Sequence, residues 1–64
     1  MSQTKEILRL RWAVRLSVRE TARATKQSTG VVCKTANRAM RAGLTWAEVD
    51  GLEEAELDRR LYGG

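Results

Sequence analysis

Apolar residues in this chain recur at three- and four-residue spacing, and β-branched residues do not alternate with polar ones over any useful length. That rhythm predicts helices and no sheet. The first predicted helix runs from about Thr4 to Arg15. Ile7, Leu8, Arg11 and Trp12 share one face, Leu10 and Val14 flank it, and Thr4 or Ser2 is the candidate cap. The second helix opens on Ser17-Val18-Arg19-Glu20, an S-x-x-E sequence. There the Ser17 hydroxyl accepts from the Glu20 amide, and the Glu20 carboxylate accepts from the Ser17 amide. This helix continues to about Thr25, too short to be stable alone. Lys26-Gln27-Ser28 interrupts the pattern. Ser28 then caps a third helix, Thr29 to Ala42, with an apolar stripe of Val31, Val32, Ala36, Ala39 and Met40. Gly43 ends it in a left-handed conformation, and Leu44 packs back. Thr45-Trp46-Ala47-Glu48 reads as another capping box opening a single turn. A last helix spans roughly Glu53 to Leu61, with Leu57 and Leu61 on one face.

The predicted fold class is all-α. Residues 1–44 form a three-helix, homeodomain-like helix-turn-helix core, and residues 45–64 form an acidic C-terminal extension with a short helix. A short helix, a tight three-residue turn and a longer helix are the parts of that motif, and Ala22 is small enough for the two helices to approach closely. The chain departs from the usual pattern in the turn. Lys26 stands where glycine is common, and Gln27 stands where an apolar residue is common. Thr21, Thr25 and Thr35 fall where aliphatics are common, which predicts a thin core.

Charge sharpens this picture. The 64 residues carry a formal net charge of +4. Residues 1–44 hold ten basic and two acidic side chains, net +8, and residues 45–64 hold two basic and six acidic, net −4. A basic body with an acidic tail suits polyanion binding by the body. One cysteine and no histidine exclude an internal disulfide and a Cys/His zinc site, so no metal or other cofactor is expected. No apolar run approaches the ~20 residues of a membrane span, and Met1-Ser2-Gln3-Thr4 does not open a signal peptide. A soluble cytoplasmic protein with no membrane partner is expected. With no histidine, no paired nucleophile and base, and too little chain for a cleft, an enzyme within these residues is not expected.

Double-stranded DNA is the expected partner, and the candidate contacts follow from the third helix. With Val32, Ala36 and Ala39 inward, Thr29, Gly30, Cys33, Lys34 and Asn37 face outward. Ser28 and Thr29 can donate to phosphate, together with the unpaired amides of the first turn. Lys34 has the chemistry for guanine, and Asn37 for bidentate pairing with adenine. Arg38 and Arg41 lie further along and suit phosphates, while Arg19 and Arg23 on the second helix flank the groove. Gly30 reads either as close backbone approach to DNA or as an inexpensive first-turn glycine. Cys33 reads as a small neutral contact at the DNA or as partly core. Trp12 and Trp46 read as packing anchors rather than base-stacking platforms. Two other functions fit the same pattern. One is a stand-alone helix-turn-helix transcriptional regulator that dimerises. The other is a helical protein-interaction module whose acidic tail and Trp46 dock a partner.

The run Ile7-Leu8-Arg9-Leu10-Arg11, followed by Leu16-Ser17-Val18-Arg19-Glu20-Thr21-Ala22-Arg23, resembles the N-terminal domain of IstA-type insertion-sequence transposases. So do Ser28-Thr29-Gly30-Val31-Val32 and Arg38-Ala39-Met40-Arg41-Ala42-Gly43-Leu44-Thr45-Trp46. The resemblance extends through Gly51-Leu52-Glu53-Glu54-Ala55-Glu56-Leu57 and Arg60-Leu61-Tyr62. It implies sequence-specific recognition of transposon terminal repeats by the first module of a longer bacterial, nucleoid-associated protein. It further implies a separate downstream RNase-H-like domain that uses three acidic residues and magnesium, self-association, and an ATPase helper. Glu53, Glu54 and Glu56 read as a helix start rather than as metal ligands.

Overall fold

The computed structural model describes residues 3–63. Among them every regular element is helical. Helix α1 (Thr4–Leu8) passes into a π-helical turn, Arg9–Ala13, and is followed by α2 (Val18–Thr25), α3 (Thr29–Arg41), α4 (Trp46–Asp50) and α5 (Glu54–Tyr62). No helix among the described residues is long and apolar enough to cross a membrane.

The first helix ends earlier than its apolar rhythm predicts. The Val14 amide donates to the Arg9 carbonyl at 3.0 Å and the Leu16 amide to the Leu10 carbonyl at 2.8 Å, both wider loops than an α-turn. Arg15 then turns left-handed at φ 67°. A π-turn adds a residue per turn, so positions beyond it lose the α-helical phase. Val14 is consequently 48% exposed instead of flanking the core, while Leu10 is buried. The Arg11 guanidinium donates to the Leu16 carbonyl at 2.7 Å and fixes the exit toward α2.

The cap of α1 is not local either. Gln3 precedes the helix without a side-chain cap bond, and Thr4 is its first residue and buried; Ser2 lies outside the described residues. The carboxylate of Glu54 accepts from the Lys5 amide at 3.0 Å instead. An acidic group at a helix N-terminus satisfies an orphan donor and complements the dipole. The Lys5 ammonium returns the contact, donating to the carbonyls of Leu52 at 2.8 Å and Asp50 at 3.2 Å.

Helices α2 and α3 form as their sequences predict. The Ser17–Glu20 box closes in both directions, at 3.1 and 3.3 Å. Ser28 caps α3 by accepting from the Val31 amide at 3.2 Å. Gly43 sits at φ 75°, and paired bonds from Leu44 to Ala39 (3.1 Å) and from Gly43 to Met40 (3.0 Å) complete the stop. The buried stripe of α3 differs from the predicted one. It consists of Val32, Thr35, Ala36 and Ala39, whereas Val31 and Met40 are 41% and 66% exposed. Thr35 lies between Val32, Ala36 and Ala39 on the helix surface, so its position overrides its polarity. Further on, Thr45 makes no side-chain cap bond, so the second predicted box does not form. Five residues gain little from a cap, and α4 is held by its buried Val49.

Two apolar clusters hold these pieces together. Ile7, Ala22 and Val32 form the smaller, with Val18 against it. Leu8, Ala39, Leu44, Val49, Leu57 and Leu61 form the larger, with Trp12, Trp46 and Leu52 against it. Residues beyond 44 therefore supply half of the larger cluster, in which Leu8 and Ala39 are fully buried. The radius of gyration is 10.6 Å, near the ~11 Å of a compact chain this long, so the acidic tail folds back. Thr21, Thr25 and Thr35 are all buried. The Thr25 hydroxyl donates to the Thr21 carbonyl at 2.8 Å. The Thr21 hydroxyl has no hydrogen-bond partner among the described residues, and an unsatisfied buried polar group costs about 1–3 kcal/mol.

Leu57 is fully buried, and Leu→Ala at such a site costs about 2–5 kcal/mol. A single core this small supplies only ~3–5 kcal/mol. Leu57→Ala is therefore expected to unfold α1–α3 together with the tail, seen as loss of far-UV helical signal and of Trp12 burial in one transition. Retention of helical signal in residues 4–41 would show that the tail is dispensable.

Candidate nucleic-acid interface

Helices α2 and α3 meet where Ala22 packs on Val32. The turn between them is made by backbone bonds from Lys26 to Arg23 (3.4 Å) and from Gln27 to Ala22 (2.9 Å). Lys26 itself lies at φ 58°, ψ 34°, left-handed without being glycine. Gln27 points outward, and its side-chain amide donates to the Gln3 side chain at 2.9 Å. The left-handed geometry that glycine usually provides is thus present, with a lysine bearing its strain.

Opposite the buried stripe, α3 exposes Gly30, Lys34, Asn37 and Arg41. Their i, i+4, i+7, i+11 spacing makes one continuous strip. Thr29 and Cys33 lie beside it, both exposed. Ser28 is exposed, and its hydroxyl oxygen is engaged by Val31, which leaves the hydroxyl proton to donate. The amides of Thr29 and Gly30, at the positive end of α3, have no intrahelical partner. A Cβ on Gly30 would meet only the Ser28 hydroxyl at 3.8 Å, so packing does not require glycine there. On α2, Arg19 and Arg23 are exposed one turn apart, and Lys26 continues their line.

The cations divide sharply by neighbour. Lys5 is bound by carbonyls, Arg11 by the Leu16 carbonyl, Arg9 by Glu6, and Arg59 and Arg60 by Glu56. Arg38 is also engaged: it donates to the Leu61 carbonyl at 3.0 Å, and its guanidinium carbon lies 4.8 Å from the centre of the Tyr62 ring. Among the described residues, Arg15, Arg19, Arg23, Lys26, Lys34 and Arg41 have neither an ion pair nor a side-chain hydrogen bond. All six are exposed, and all lie between residues 15 and 41. The predicted contacts Arg19, Arg23, Ser28, Thr29, Gly30, Cys33, Lys34, Asn37 and Arg41 are all solvent-facing, while Arg38 turns toward α5. Arg15, the expected end of the first helix, and Lys26, noted only as a turn residue, were not among the predicted contacts. Both lie in the left-handed region, at φ 67° and 58°, and both are exposed.

Two curated relatives align with nearly all of the chain. "Putative transposase for insertion sequence IS408" of Burkholderia multivorans is 46% identical over 61 residues, which is 95% of this chain and 12% of that protein. "Putative transposase y4uI" of Sinorhizobium fredii is 43% identical over 63 residues, 98% of this chain and again 12% of the relative. The chain thus spans 12% of the length of these relatives. No protein-family model matches it, and no solved structure matches it.

A left-handed non-glycine residue costs about 1–2 kcal/mol, partly offset by the greater chain entropy glycine has when unfolded. Lys26→Gly is expected to raise stability by roughly 0.5–1 kcal/mol, read as a higher urea midpoint at unchanged slope. A lower midpoint would mean that the lysine side chain, rather than its backbone, sets the turn.

Proposed function

We propose that this chain is a sequence-specific double-stranded-DNA-binding module, the N-terminal part of an IstA-type insertion-sequence transposase, and that it recognises transposon terminal repeats. In this reading α2 and α3 act as a helix-turn-helix, with α3 entering the major groove. The observation that carries it is the charge arrangement: the six exposed cations without ion-pair or side-chain hydrogen-bond partners among the described residues all fall within residues 15–41, the stretch that holds α2 and α3. The transposase names of the two relatives, at 46% and 43% identity, point to the same class of partner.

Each residue then has a task. Lys34 and Asn37 read base edges. Ser28, Thr29 and the first-turn amides of α3 bind a phosphate, and Arg19, Arg23 and Arg41 contact the flanking backbone. Gly30 lets the backbone of α3 approach the duplex, and Cys33 lies beside it as a small neutral contact. Residues 1–44 carry the DNA-binding surface and residues 45–64 the acidic extension. Strand cutting and joining belong to other domains of the longer protein, which works in the nucleoid as an oligomer.

With four or five phosphate contacts, log K is expected to fall with log salt at a slope of about −4. A duplex bearing the terminal repeat should bind more tightly than a scrambled duplex, and Lys34→Ala with Asn37→Ala should erase that preference. Equal affinity for both duplexes in the wild-type protein would refute sequence-specific recognition.

A further inference from the structure

Helix α3 is gripped unevenly. Its N-terminal half packs through Val32 against Ala22 and Ile7. Beyond Thr35 its C-terminal half buries only two methyl groups, Ala36 and Ala39, the latter against Leu8, Leu57 and Leu61. Asn37, Met40 and Arg41 around it face solvent. Val31, Thr35 and Arg38 follow one another at i, i+4, i+7 along the side of α3. Val31 and Thr35 share a cleft of about 400 Å³ with Tyr62 and Asp58 of α5.

Arg38 bridges that side to α5. Leu61 lies in the last turn of α5, where carbonyls have no intrahelical donor and the dipole is negative. The Arg38 guanidinium donates to that carbonyl at 3.0 Å and covers the Tyr62 ring at 4.8 Å. One planar cation therefore meets a carbonyl and an aromatic face together, which a lysine ammonium does not reproduce. Tyr62 is a large aromatic side chain left 50% exposed. Its role as a platform for Arg38 accounts for that position.

We infer that Arg38 and Tyr62 form a strut between α3 and α5 that sets the angle at which α3 meets its ligand. Arg38 is a positioning residue rather than a phosphate contact. The inference rests on the DNA-binding reading and adds to it that the acidic extension aims the binding helix.

The test uses the whole chain and the tightest duplex selected from a randomised pool. Arg38→Ala and Tyr62→Ala should each weaken binding by about fivefold, the size of an exposed cation–π contact. The double variant should be no weaker than Arg38→Ala, and Tyr62→Phe should keep wild-type affinity. The salt slope should be unchanged throughout. If Arg38→Ala instead lowers the slope by about one while Tyr62→Ala binds normally, Arg38 is a phosphate contact and the strut is overturned. Amide hydrogen exchange in the free protein gives a second, DNA-independent readout. Both single variants should speed exchange of residues 36–41 by about the same fivefold factor, and unchanged rates would overturn the strut. A wild-type protein that selects no duplex would sink the DNA reading alone, because the exchange experiment still decides the strut.

Discussion

Everything in this small protein depends on one contact, the packing of Leu8 and Ala39 from the basic half against Leu57 and Leu61 from the acidic tail. The cluster that joins α2 and α3 amounts to Ala22 and Val32 with Ile7 of α1. Three side chains cannot offset the conformational entropy of two short helices and their connections. The tail therefore supplies missing apolar surface as well as charge. Glu54 caps α1 across the chain, and Lys5 returns the contact to the α4–α5 junction. The N-terminal helix and the tail are in this way stabilised by each other.

The same arrangement sorts the charges. Acidic groups of the tail neutralise their own arginines, as Glu56 does Arg59 and Arg60, or engage backbone amides, as Glu54 does. They leave the cations of α2, α3 and the adjoining turns, Arg38 excepted, without ion-pair or side-chain hydrogen-bond partners among the described residues. Two of these cations, Arg15 and Lys26, occupy left-handed positions that glycine would take at lower cost. The buried Thr21 hydroxyl is a further concession of stability. Marginal core packing beside a concentrated positive surface suits a module whose folded state gains from binding a polyanion.

Much of the fold was legible in local chemistry. The Ser17–Glu20 box, the Ser28 cap and the Gly43 stop each depend on residues within one turn, and all three formed. The outward strip Gly30, Lys34 and Asn37 followed from helical phase once Val32, Ala36 and Ala39 were taken inward. What escaped the sequence was non-local or out of phase. The π-turn at Arg9–Ala13 moved Val14 to the surface. Thr35 was buried by position, and Val31 and Met40 were exposed beside it. The partner of Arg38 lies 23 residues away, and the cap of α1 comes from Glu54, 49 residues from Lys5. Nothing in local spacing announces such pairs.

A backbone chemical-shift map of the labelled protein titrated with duplex DNA locates the binding surface residue by residue. Shifts are expected at Arg19, Arg23, Ser28 through Gly30, Lys34, Asn37 and Arg41, with the outer faces of α4 and α5 silent. Shifts confined to residues outside 15–41, or centred on Trp46 and the acidic face of α5, would contradict this expectation and mark the tail as the binding surface.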